Sequence, residues 1–303
     1  MNKRIFLLLL PLLFLGISCG SPKGGGIFRS VDGGVNWQQK VFIEQIKRKV
    51  YTIAEASTTV FVQDKNQSGI FYVGTKENGI FKTVDAGETW QRTSIQSGNV
   101  SSITLDALDS TKLYAVIGES ILQSIDSGVN WEVIYTHTNR ASLVKVAADF
   151  FNAGKIFTVA SDGTILSSSD FGNNWKIVFQ NNASFLDIAL DYYDSRVIYA
   201  LDKNGKLWVS KDSGETWNNV ISDTFFTQWD APLIRITIDP TSSGSLYAVT
   251  STRVLKSKDF GNTWERVSTL IAEKSAVNGF IKNLTVDPRE GCALYFTVGR
   301  VIH

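Results

Sequence analysis

Short apolar runs separated by glycine-rich and polar turns follow one another from residue 27 to the end of the chain. Runs of about four to eight residues rich in Val, Ile, Tyr and Phe are typical of β-strands. Six pairs of such runs recur. The first members read TTVFVQD, SITLD, LVKVAAD, FLDIALD, IRITID and IKNLTVD, and the second members read GIFYVGT, KLYAVIG, KIFTVAS, VIYALD, SLYAVT and ALYFTVG. The pattern predicts an all-β chain.

A repeated motif, Ser/Thr-x-Asp-x-Gly-x-x-Trp, accompanies these pairs. Its six copies contain Asp32 and Trp37, Asp85 and Trp90, Asp126 and Trp131, Asp170 and Trp175, Asp212 and Trp217, and Asp259 and Trp264. Successive tryptophans lie 53, 41, 44, 42 and 47 residues apart, which is the length of one four-stranded propeller blade with its connections. The Ser and Asp side chains can bond backbone groups of a tight turn, and Gly supplies a positive φ, so we interpret these residues as structural.

Six pairs and six motifs predict a six-bladed β-propeller of four-stranded antiparallel blades over residues 27–303. The first motif, at Ser30, is preceded by a single short apolar run, and the printed chain ends at His303, just after the sixth pair. We therefore expect the N-terminal and C-terminal strands to share one blade and to close the ring. Such a closure leaves no open blade and favours six blades over seven.

The first 18 residues have the features of a secretory leader. Two basic residues precede an apolar run of 13 residues, Ile5–Ile17, which is too short to span a bilayer comfortably. The segment that ends at Cys19 resembles a bacterial lipobox, which implies that Cys19 is acylated. Leu15 stands four residues before the cysteine instead of three, so cleavage by the ordinary signal peptidase, giving a secreted soluble protein, stays open. Residues 19–26 predict a flexible tether of an exported lipoprotein facing the periplasm or the cell exterior.

Composition narrows the classes of function. Lys and Arg number 30 against 29 Asp and Glu, so no strong positive field exists to attract nucleic acid. Two Cys and two His argue against a metal site or a disulfide framework, and we expect no cofactor. We interpret Cys292 as a small buried hydrophobe and His137 as an exposed bystander. The propeller is expected to be monomeric.

The inner strands of the blades can be aligned on a shared Asp. Three residues before it stand large apolar residues, Phe61, Ile103, Val146, Ile188, Ile236 and Leu284, and two before it stand smaller ones, Val62, Thr104, Ala147, Ala189, Thr237 and Thr285. Four before it stand Val60, Ser102, Lys145, Asp187, Arg235 and Asn283. These last positions should ring one mouth of the central channel, where Lys145, Asp187, Arg235 and Asn283 form a candidate recognition rim. The alternative is that Lys145, Asp187 and Arg235 only neutralise one another.

Two long loops open on the same face as this rim. The segment 222–232 holds Phe225, Phe226 and Trp229, which could anchor a partner or stack on a sugar ring. The alternative is that these rings fold back over the edge of the propeller. The segment 42–56 holds the basic triplet 47–49, either a solvated patch or a contact for anionic headgroups.

The repeated motif is that of the Asp-box, or BNR repeat. The chain resembles the exported photosystem II assembly and stability factor family and related bacterial BNR lipoproteins, and more distantly the sortilin propeller and the sialidases. The resemblance implies a non-catalytic scaffold that binds a protein or a glycan, in assembly of an envelope complex. Sialidases need three converging Arg, a Tyr with a Glu and an Asp acid, and their Arg-Ile-Pro segment is missing here. A glycoside hydrolase of sialidase or xyloglucanase type is the alternative, and a purely structural envelope protein is a third.

Overall fold

The computed structural model describes residues 26–31, 35–222, 224–225, 228, 231–251, 253–267, 279–286 and 294–300. Apart from helical residues at 224, 225 and 228, the regular secondary structure of these ranges is β-strand. The all-β prediction is confirmed. Within the same ranges no helix is long and apolar enough to cross a bilayer. The predicted leader, 1–18, and nearly all of the predicted tether lie outside the described residues.

Five four-stranded antiparallel sheets form the blades of a propeller. Blade one contains β5 (Thr58–Gln63), β6 (Phe71–Thr75), β7 (Ile80–Thr83) and β8 (Gln91–Arg92). Blade two contains β9 (Val100–Leu105), β10 (Leu113–Ile117), β11 (Ser120–Ser124) and β12 (Glu132–Thr136). Blade three contains β13 (Leu143–Ala148), β14 (Ile156–Ala160), β15 (Thr164–Ser168) and β16 (Lys176–Gln180). Blade four contains β17 (Phe185–Leu190), β18 (Ile198–Asp202), β19 (Leu207–Ser210) and β20 (Asn218–Asn219). Blade five contains β21 (Arg235–Ile238), β22 (Leu246–Val249), β23 (Val254–Ser257) and β24 (Glu265–Arg266).

Three two-stranded sheets lie before and after these blades. At the N-terminal side β1 (Phe28–Arg29) pairs with β2 (Gln38–Gln39), and β3 (Phe42–Ile46) pairs with β4 (Lys49–Thr52). At the C-terminal side β25 (Gly279–Val286) pairs with β26 (Leu294–Arg300). The segment 42–56, predicted as a loop, is therefore mostly a β-hairpin, because its alternating apolar residues allow β3 and β4 to pair.

The core of the molecule lies between neighbouring blades. An aromatic residue on the second strand of each blade shares a buried cluster with the large apolar residue that precedes the shared Asp in the next inner strand. The pairs are Tyr72 with Ile103, Tyr114 with Val146, Phe157 with Ile188, Tyr199 with Ile236, and Tyr247 with Leu284. Burying each such side chain contributes about 1.5 to 3 kcal/mol, so the contacts between blades dominate the stability.

The smaller residues of the inner strands line the central channel, as the alternation along these strands predicts. Thr104, Ala147, Ala189 and Thr237 face a cavity of about 250 Å³ that runs between the inner strands. Small side chains at these positions leave the axis open, since successive residues of a strand point to opposite faces. The large neighbours are thereby turned into the contacts between blades.

The prediction of six complete blades was wrong: the described residues form five four-stranded blades. Both halves of the predicted shared blade are present at the two ends of the series. Thr237 donates from blade five to the carbonyl of Leu284 in β25 at 3.1 Å, and the indole of Trp90 in blade one donates to the carbonyl of Lys40, just after β2, at 2.9 Å.

These two halves do not pair with each other, since no ladder joins β26 to β1 among the described residues. The edge that β1 offers is only two residues long, whereas the third strands of the five blades have four or five. So short an edge gains few hydrogen bonds to offset the cost of ordering the terminal strand. Phe61, on the inner strand of blade one, is accordingly 53% exposed.

One buried hydroxyl in this core lacks a partner. The second-strand tyrosines of three blades face a polar residue on the third strand, but Tyr199 pairs with Val209, and its hydroxyl has no hydrogen bond among the described residues. Burial raises the pKa of Tyr199. Phe157 occupies the equivalent position of blade three, so a phenylalanine already fits there.

We therefore expect Tyr199→Phe to raise the free energy of unfolding by about 1 kcal/mol, because it removes an unsatisfied buried hydroxyl. The matched control is Tyr72→Phe, which removes a hydroxyl that donates to the carbonyl of Ser127 at 2.9 Å and should lower the free energy by about 1 kcal/mol. Urea unfolding measures both. Equal losses in the two variants would contradict the assignment.

Candidate functional site

The Asp-box turns use their polar side chains internally. In the box of blade four, Ser210 donates to Asp212 at 2.8 Å and accepts from the amide of Gly214 at 2.8 Å. Asp212 in turn accepts from the amide of Thr216 at 2.8 Å, and the indole of Trp217 donates to the carbonyl of Gly214 at 3.1 Å. Both carboxylate oxygens are engaged in the turn, which leaves this Asp poorly placed to act as a ligand or acid.

The serine or threonine, aspartate and glycine bonds recur in the other described boxes, at Asp85, Asp126, Asp170 and Asp259. In each box the residue before the glycine also has a positive φ, for example 61° at Phe171, a strained conformation for a non-glycine residue. From the sequence, a positive φ is expected only at the glycine of each box. The indoles of Trp131, Trp175 and Trp264 bond the glycine carbonyl of their own boxes, as Trp217 does.

The first box differs from the rest. Asp32 lies outside the described residues, and Trp37 is 60% exposed, whereas Trp90 is 1% exposed. Trp90 is covered because the N-terminal hairpin packs against it. Trp37 has no complete blade packed on it in the described part of the chain.

The predicted rim forms at one mouth of the channel. Lys145 and Asp187, on the adjacent inner strands β13 and β17, make an ion pair at 2.6 Å. The carboxylate side chain of Asp187 is nearly buried, while Lys145 is partly exposed, so the lysine offsets the cost of burying the carboxylate. For these two residues the structure thus favours mutual neutralisation over direct recognition.

Arg235 begins β21 on the next blade and is exposed, and its guanidinium makes no hydrogen bond or ion pair with any described residue. The backbone of Asn283 lies in β25, and its side chain is outside the described residues. The rim therefore offers one unengaged guanidinium beside a paired lysine.

The aromatic loop after blade four does not present its first ring to solvent. Phe225 is 5% exposed and packs in a buried cluster, with its ring 6.2 Å from that of Trp264 in an edge-to-face arrangement. This corrects its prediction as an exposed anchor: the ring gains more by filling the space beside blade five. Phe226 and Trp229 lie outside the described residues.

The basic triplet lies on the hairpin of β3 and β4. Lys47 takes a positive φ of 55° in its turn, and Lys49 places its ammonium 4.9 Å from the ring centre of Tyr51. All three residues of 47–49 are exposed.

His137, interpreted from sequence as exposed, is buried. Its Nε2 lies 2.9 Å from a carboxylate oxygen of Asp162, and its Nδ1 lies 3.1 Å from the hydroxyl of Tyr135. Burial alone would raise the pKa of Asp162, but hydrogen bonds led by the one from His137 hold it below its usual value. Tyr135 and His137 belong to blade two, whereas Asp162 belongs to blade three. His137 and Asp162 are 25 residues apart in the sequence, and no motif connects them, so the sequence did not indicate this contact. The trio fixes the loop after β12 to the turn before β15.

The opposite end of the channel carries an aromatic stack that sequence inspection also missed. The rings of Phe150 and Tyr192, each the residue after a shared Asp, stack at 4.4 Å. The ammonium of Lys65 lies 4.3 Å above the ring of Phe150, and burial lowers the pKa of Lys65. The stack brings together blades one, three and four at this end.

Few charged side chains line the channel between these two ends. Of the residues described along this cavity, Lys145 is charged and none is a carboxylate. Asp64 and Asp106, which line a smaller neighbouring cavity of about 80 Å³, are buried and accept backbone amide bonds. No group of His, Cys, Asp and Glu in the described ranges could hold a metal ion.

Comparison with known proteins agrees with this architecture. A family model described as sortilin, neurotensin receptor 3, matches residues 163–272, less than half of the chain. No curated protein matches the chain.

Solved structures of two functional kinds share the fold. A GH74 xyloglucanase from Xanthomonas campestris has a TM-score of 0.73 at 15% identity, covering 91% of this chain and 48% of its own. An ancestral GH74 enzyme has a TM-score of 0.65 at 19% identity, covering 81% of this chain and 35% of its own. YCF48 bound to D1 peptide has a TM-score of 0.60 at 17% identity, covering 80% of this chain and 75% of its own. The chain spans about half or less of the two GH74 enzymes, and the likeness is one of fold: the chain is a β-propeller of the Asp-box type.

The box aspartates make the stability depend on pH. Hydrogen bonds, led by the amide of Asn130, lower the pKa of Asp126 to about 2. Because the folded pKa lies below the unfolded one, the stabilisation is present above about pH 4 and is lost as the pH falls towards 2. We expect Asp126→Asn to lower the free energy of unfolding at pH 6 and to do so much less near pH 2.5. Urea unfolding between pH 2.5 and pH 6 measures this loss of free energy, and Glu132→Gln, at an exposed residue, is the control. If Asp126→Asn lowered the free energy of unfolding equally at both pH values, the role of the carboxylate would be contradicted.

We expect the ion pair between Lys145 and Asp187 to stabilise the fold. We expect Lys145→Met to lower the free energy of unfolding by about 1 to 3 kcal/mol, because Asp187 would keep a nearly buried carboxylate without its cation. Adding Asp187→Asn should restore much of the loss. The control is Lys176→Met, which breaks an exposed pair with Glu215 and should cost less than about 0.5 kcal/mol. Equal losses in Lys145→Met and the control, measured by thermal unfolding, would oppose this interpretation.

Proposed function

We propose that the chain is a non-catalytic, extracytoplasmic binding propeller that holds a segment of a partner protein at the mouth of its channel. The observation that carries the proposal is the chemistry of this mouth. Arg235 stands there exposed and unengaged among the described residues, on the blade next to Asp187, whose carboxylate is already paired with Lys145. Such a site can attract a carboxylate of a partner and hold it by shape and hydrogen bonds.

The rigidity of the mouth supports a binding role. The Lys145 to Asp187 pair joins two inner strands, and the hydroxyl of Ser102 bonds the backbone carbonyl of Val146 at 3.3 Å across the neighbouring blades. A surface that is fixed before the partner arrives loses less conformational entropy on binding. The likeness to YCF48, a structure of which contains a D1 peptide, supports a protein segment over a glycan as the ligand.

The location belongs to the same proposal. Removal of the leader and acylation of Cys19 would place the propeller on the outer side of a bacterial membrane, where it could assist assembly of an envelope complex. The mature chain then carries one lipid anchor and a short Gly and Ser tether. The likeness to YCF48 is compatible with such an assembly role.

A glycoside hydrolase is the alternative, favoured by the likeness to the GH74 enzymes. Glycoside hydrolysis uses two carboxylates that flank the scissile bond, separated by roughly 5 to 10 Å. The carboxylate described at the channel mouth, Asp187, is held by Lys145 at 2.6 Å, and the residues described along the cavity include no second carboxylate. We expect no release of reducing sugar from xyloglucan or from sialylated oligosaccharides, and measurable turnover would favour the alternative.

The test of partner binding is crosslinking in the native membrane, followed by mass spectrometry, with the wild-type chain and two variants. Arg235→Glu should reduce the dominant crosslinked partner at least about tenfold, because it reverses the charge at the mouth. The control is Lys203→Glu, which reverses an exposed charge at the same end of the propeller, on the turn between β18 and β19, outside the lining of the channel. Equal capture by both variants would overturn the site. The absence of any partner above background would overturn the protein ligand and favour a glycan.

A further inference from the structure

The hairpin of β3 and β4 is an addition to the repeating pattern of the blades. The first and second box tryptophans lie 53 residues apart, against 41 to 47 residues in the later repeats, and β3 and β4 pair only with each other. The base of the hairpin packs on blade one, where Ile43 lies against the buried cluster of Trp90. The remainder of the hairpin therefore adds to the propeller a surface that the five blades do not share.

Apolar side chains are exposed on both faces of the hairpin beyond its base. Ile46 is 50% exposed and lies opposite Lys49 in the ladder. Val50, which points to the other face because it follows Lys49 in the strand, is 52% exposed. Tyr51 is also exposed, with the ammonium of Lys49 over its ring. These apolar residues flank the basic tip of the hairpin on two sides.

The tip itself carries three cations. Lys47 and Arg48 form the two-residue turn, and Lys49 begins β4. None of these three side chains makes an ion pair with a described residue, whereas Lys176, an exposed lysine of blade three, pairs with Glu215. The chain as a whole is nearly neutral, with 30 Lys and Arg against 29 Asp and Glu. The positive charge of the tip is therefore a local feature, and it favours an anionic partner.

Lys47 occupies its position at a conformational cost. Its φ is 55°, in the left-handed region that glycine adopts readily and that a residue with a Cβ adopts rarely. The first position of a two-residue hairpin turn is one where glycine is common. A lysine at this position weakens the turn and supplies a charge at the end of the hairpin that projects farthest from its base.

We propose that this hairpin docks on the surface of an anionic lipid bilayer, with its three cations among the phosphates and with Ile46 and Val50 at the boundary of the acyl chains. Each lysine or arginine near such a surface strengthens binding about fivefold. Apolar side chains next to cations are the combination by which peripheral elements enter an interface. Nucleic acid offers phosphates without an apolar layer, and an acidic protein surface would cover one face of the hairpin. A bilayer accepts the tip together with the apolar residues on both of its faces.

The chain enters the propeller against the base of this hairpin. A Cβ on Gly26 would lie 2.6 Å from the side chain of Val41, which precedes β3, and 3.2 Å from the Cα of Ala54, which follows β4. The seven Cα-to-Cα steps from Cys19 to Gly26 span up to about 25 Å when extended. The five-residue strand β3 is shorter, at about 17 Å. The hairpin tip and a lipid on Cys19 can therefore reach the same bilayer surface.

The two membrane contacts have different effects. This step rests on the proposed function, since it takes the anchor at Cys19 as the second contact. An anchor on a flexible tether limits the distance of the propeller from the membrane but leaves the propeller free to turn. The docked hairpin adds a contact on the folded domain itself, so it fixes the orientation of the propeller relative to the bilayer.

Vesicle sedimentation tests the docking with the mature chain from Gly20 onward, which carries no acyl group. The vesicles contain either phosphatidylcholine alone or phosphatidylcholine with about one third phosphatidylglycerol. The wild-type chain should partition into the anionic vesicles at least about tenfold better than into the neutral ones, and about 0.5 M salt should remove most of this preference. Equal binding to the two kinds of vesicle would overturn the proposal.

The tip variant, Lys47→Gln with Arg48→Gln and Lys49→Gln, should lose the preference for anionic vesicles. The matched control removes the same charge from exposed lysines of blades three, four and five and should bind as the wild type does; its substitutions are Lys176→Gln, Lys211→Gln and Lys258→Gln. Equal losses in the two triple variants would mean attraction by overall charge and would sink docking by the hairpin.

A single variant separates the charge from the folding of the hairpin. Lys47→Gly should lower the anionic preference about fivefold, while the midpoint of thermal unfolding stays unchanged or rises, because glycine accepts a φ of 55°. Ile46→Ser with Val50→Ser should weaken the binding that remains in high salt, since apolar contacts are not screened. Wild-type binding by both variants would contradict insertion of the tip.

The acylated protein in the same vesicles supplies the last measurement. Labelling of amines, read by mass spectrometry, should show Lys47 and Lys49 protected in anionic vesicles relative to neutral ones, and Lys176 labelled equally in both. Equal labelling of the tip in both would overturn docking in the anchored chain. The mass of the N-terminal peptide reports acylation of Cys19 separately. An unmodified Cys19, or loss of the crosslinked partner, would count against the proposed function and leave the sedimentation result standing.

Discussion

The contact between an aromatic side chain on one blade and the inner strand of the next holds this molecule together. A four-stranded sheet has two faces, and a single blade cannot bury both. Tyr114 is buried only because Val146 of the following blade covers it. Each blade is thus stable only beside its neighbours, as in repeat proteins generally. The box turns then fix the outer strands, so that the inner strands keep their register around the channel.

The same dependence accounts for the exposed residues at the ends of the described series of blades. The series of contacts continues through blade five to Leu284, and it begins with the N-terminal hairpin against Trp90. Between these limits every interface is filled. Trp37 and Phe61 stay exposed at the edge where the described chain supplies no covering blade. The strand order of each described blade is set within its own repeat, whereas its burial depends on the neighbouring blades.

The sequence predicted the structure correctly wherever the same local pattern recurs from blade to blade. The box turns, the strand pairs and the alternation of large and small inner-strand residues followed from residue type and spacing, because each is set by local geometry. Phe225 could not be placed in this way, since whether a loop ring is buried depends on the space left beside blade five. The burial of His137 depended on Asp162 from another blade, and ring closure on pairing between the two ends of the chain. Contacts between distant segments have no signature in the periodicity.

The two ends of the propeller follow different rules, and the difference bears on function. At the end that carries the Asp-box turns, the turns are fixed by the motif, so only the free positions of the motif vary: the second position is aliphatic at Val84 and Ile125 and polar at Ser169, Lys211 and Lys258. At the channel mouth no motif constrains the loops, and the inner strands present Lys145, Asp187 and Arg235 in succession. Because both ends are built on the same rigid blades, the position of the channel mouth is fixed relative to the box turns, and a substitution in a box turn can act on the mouth only through the strands between them.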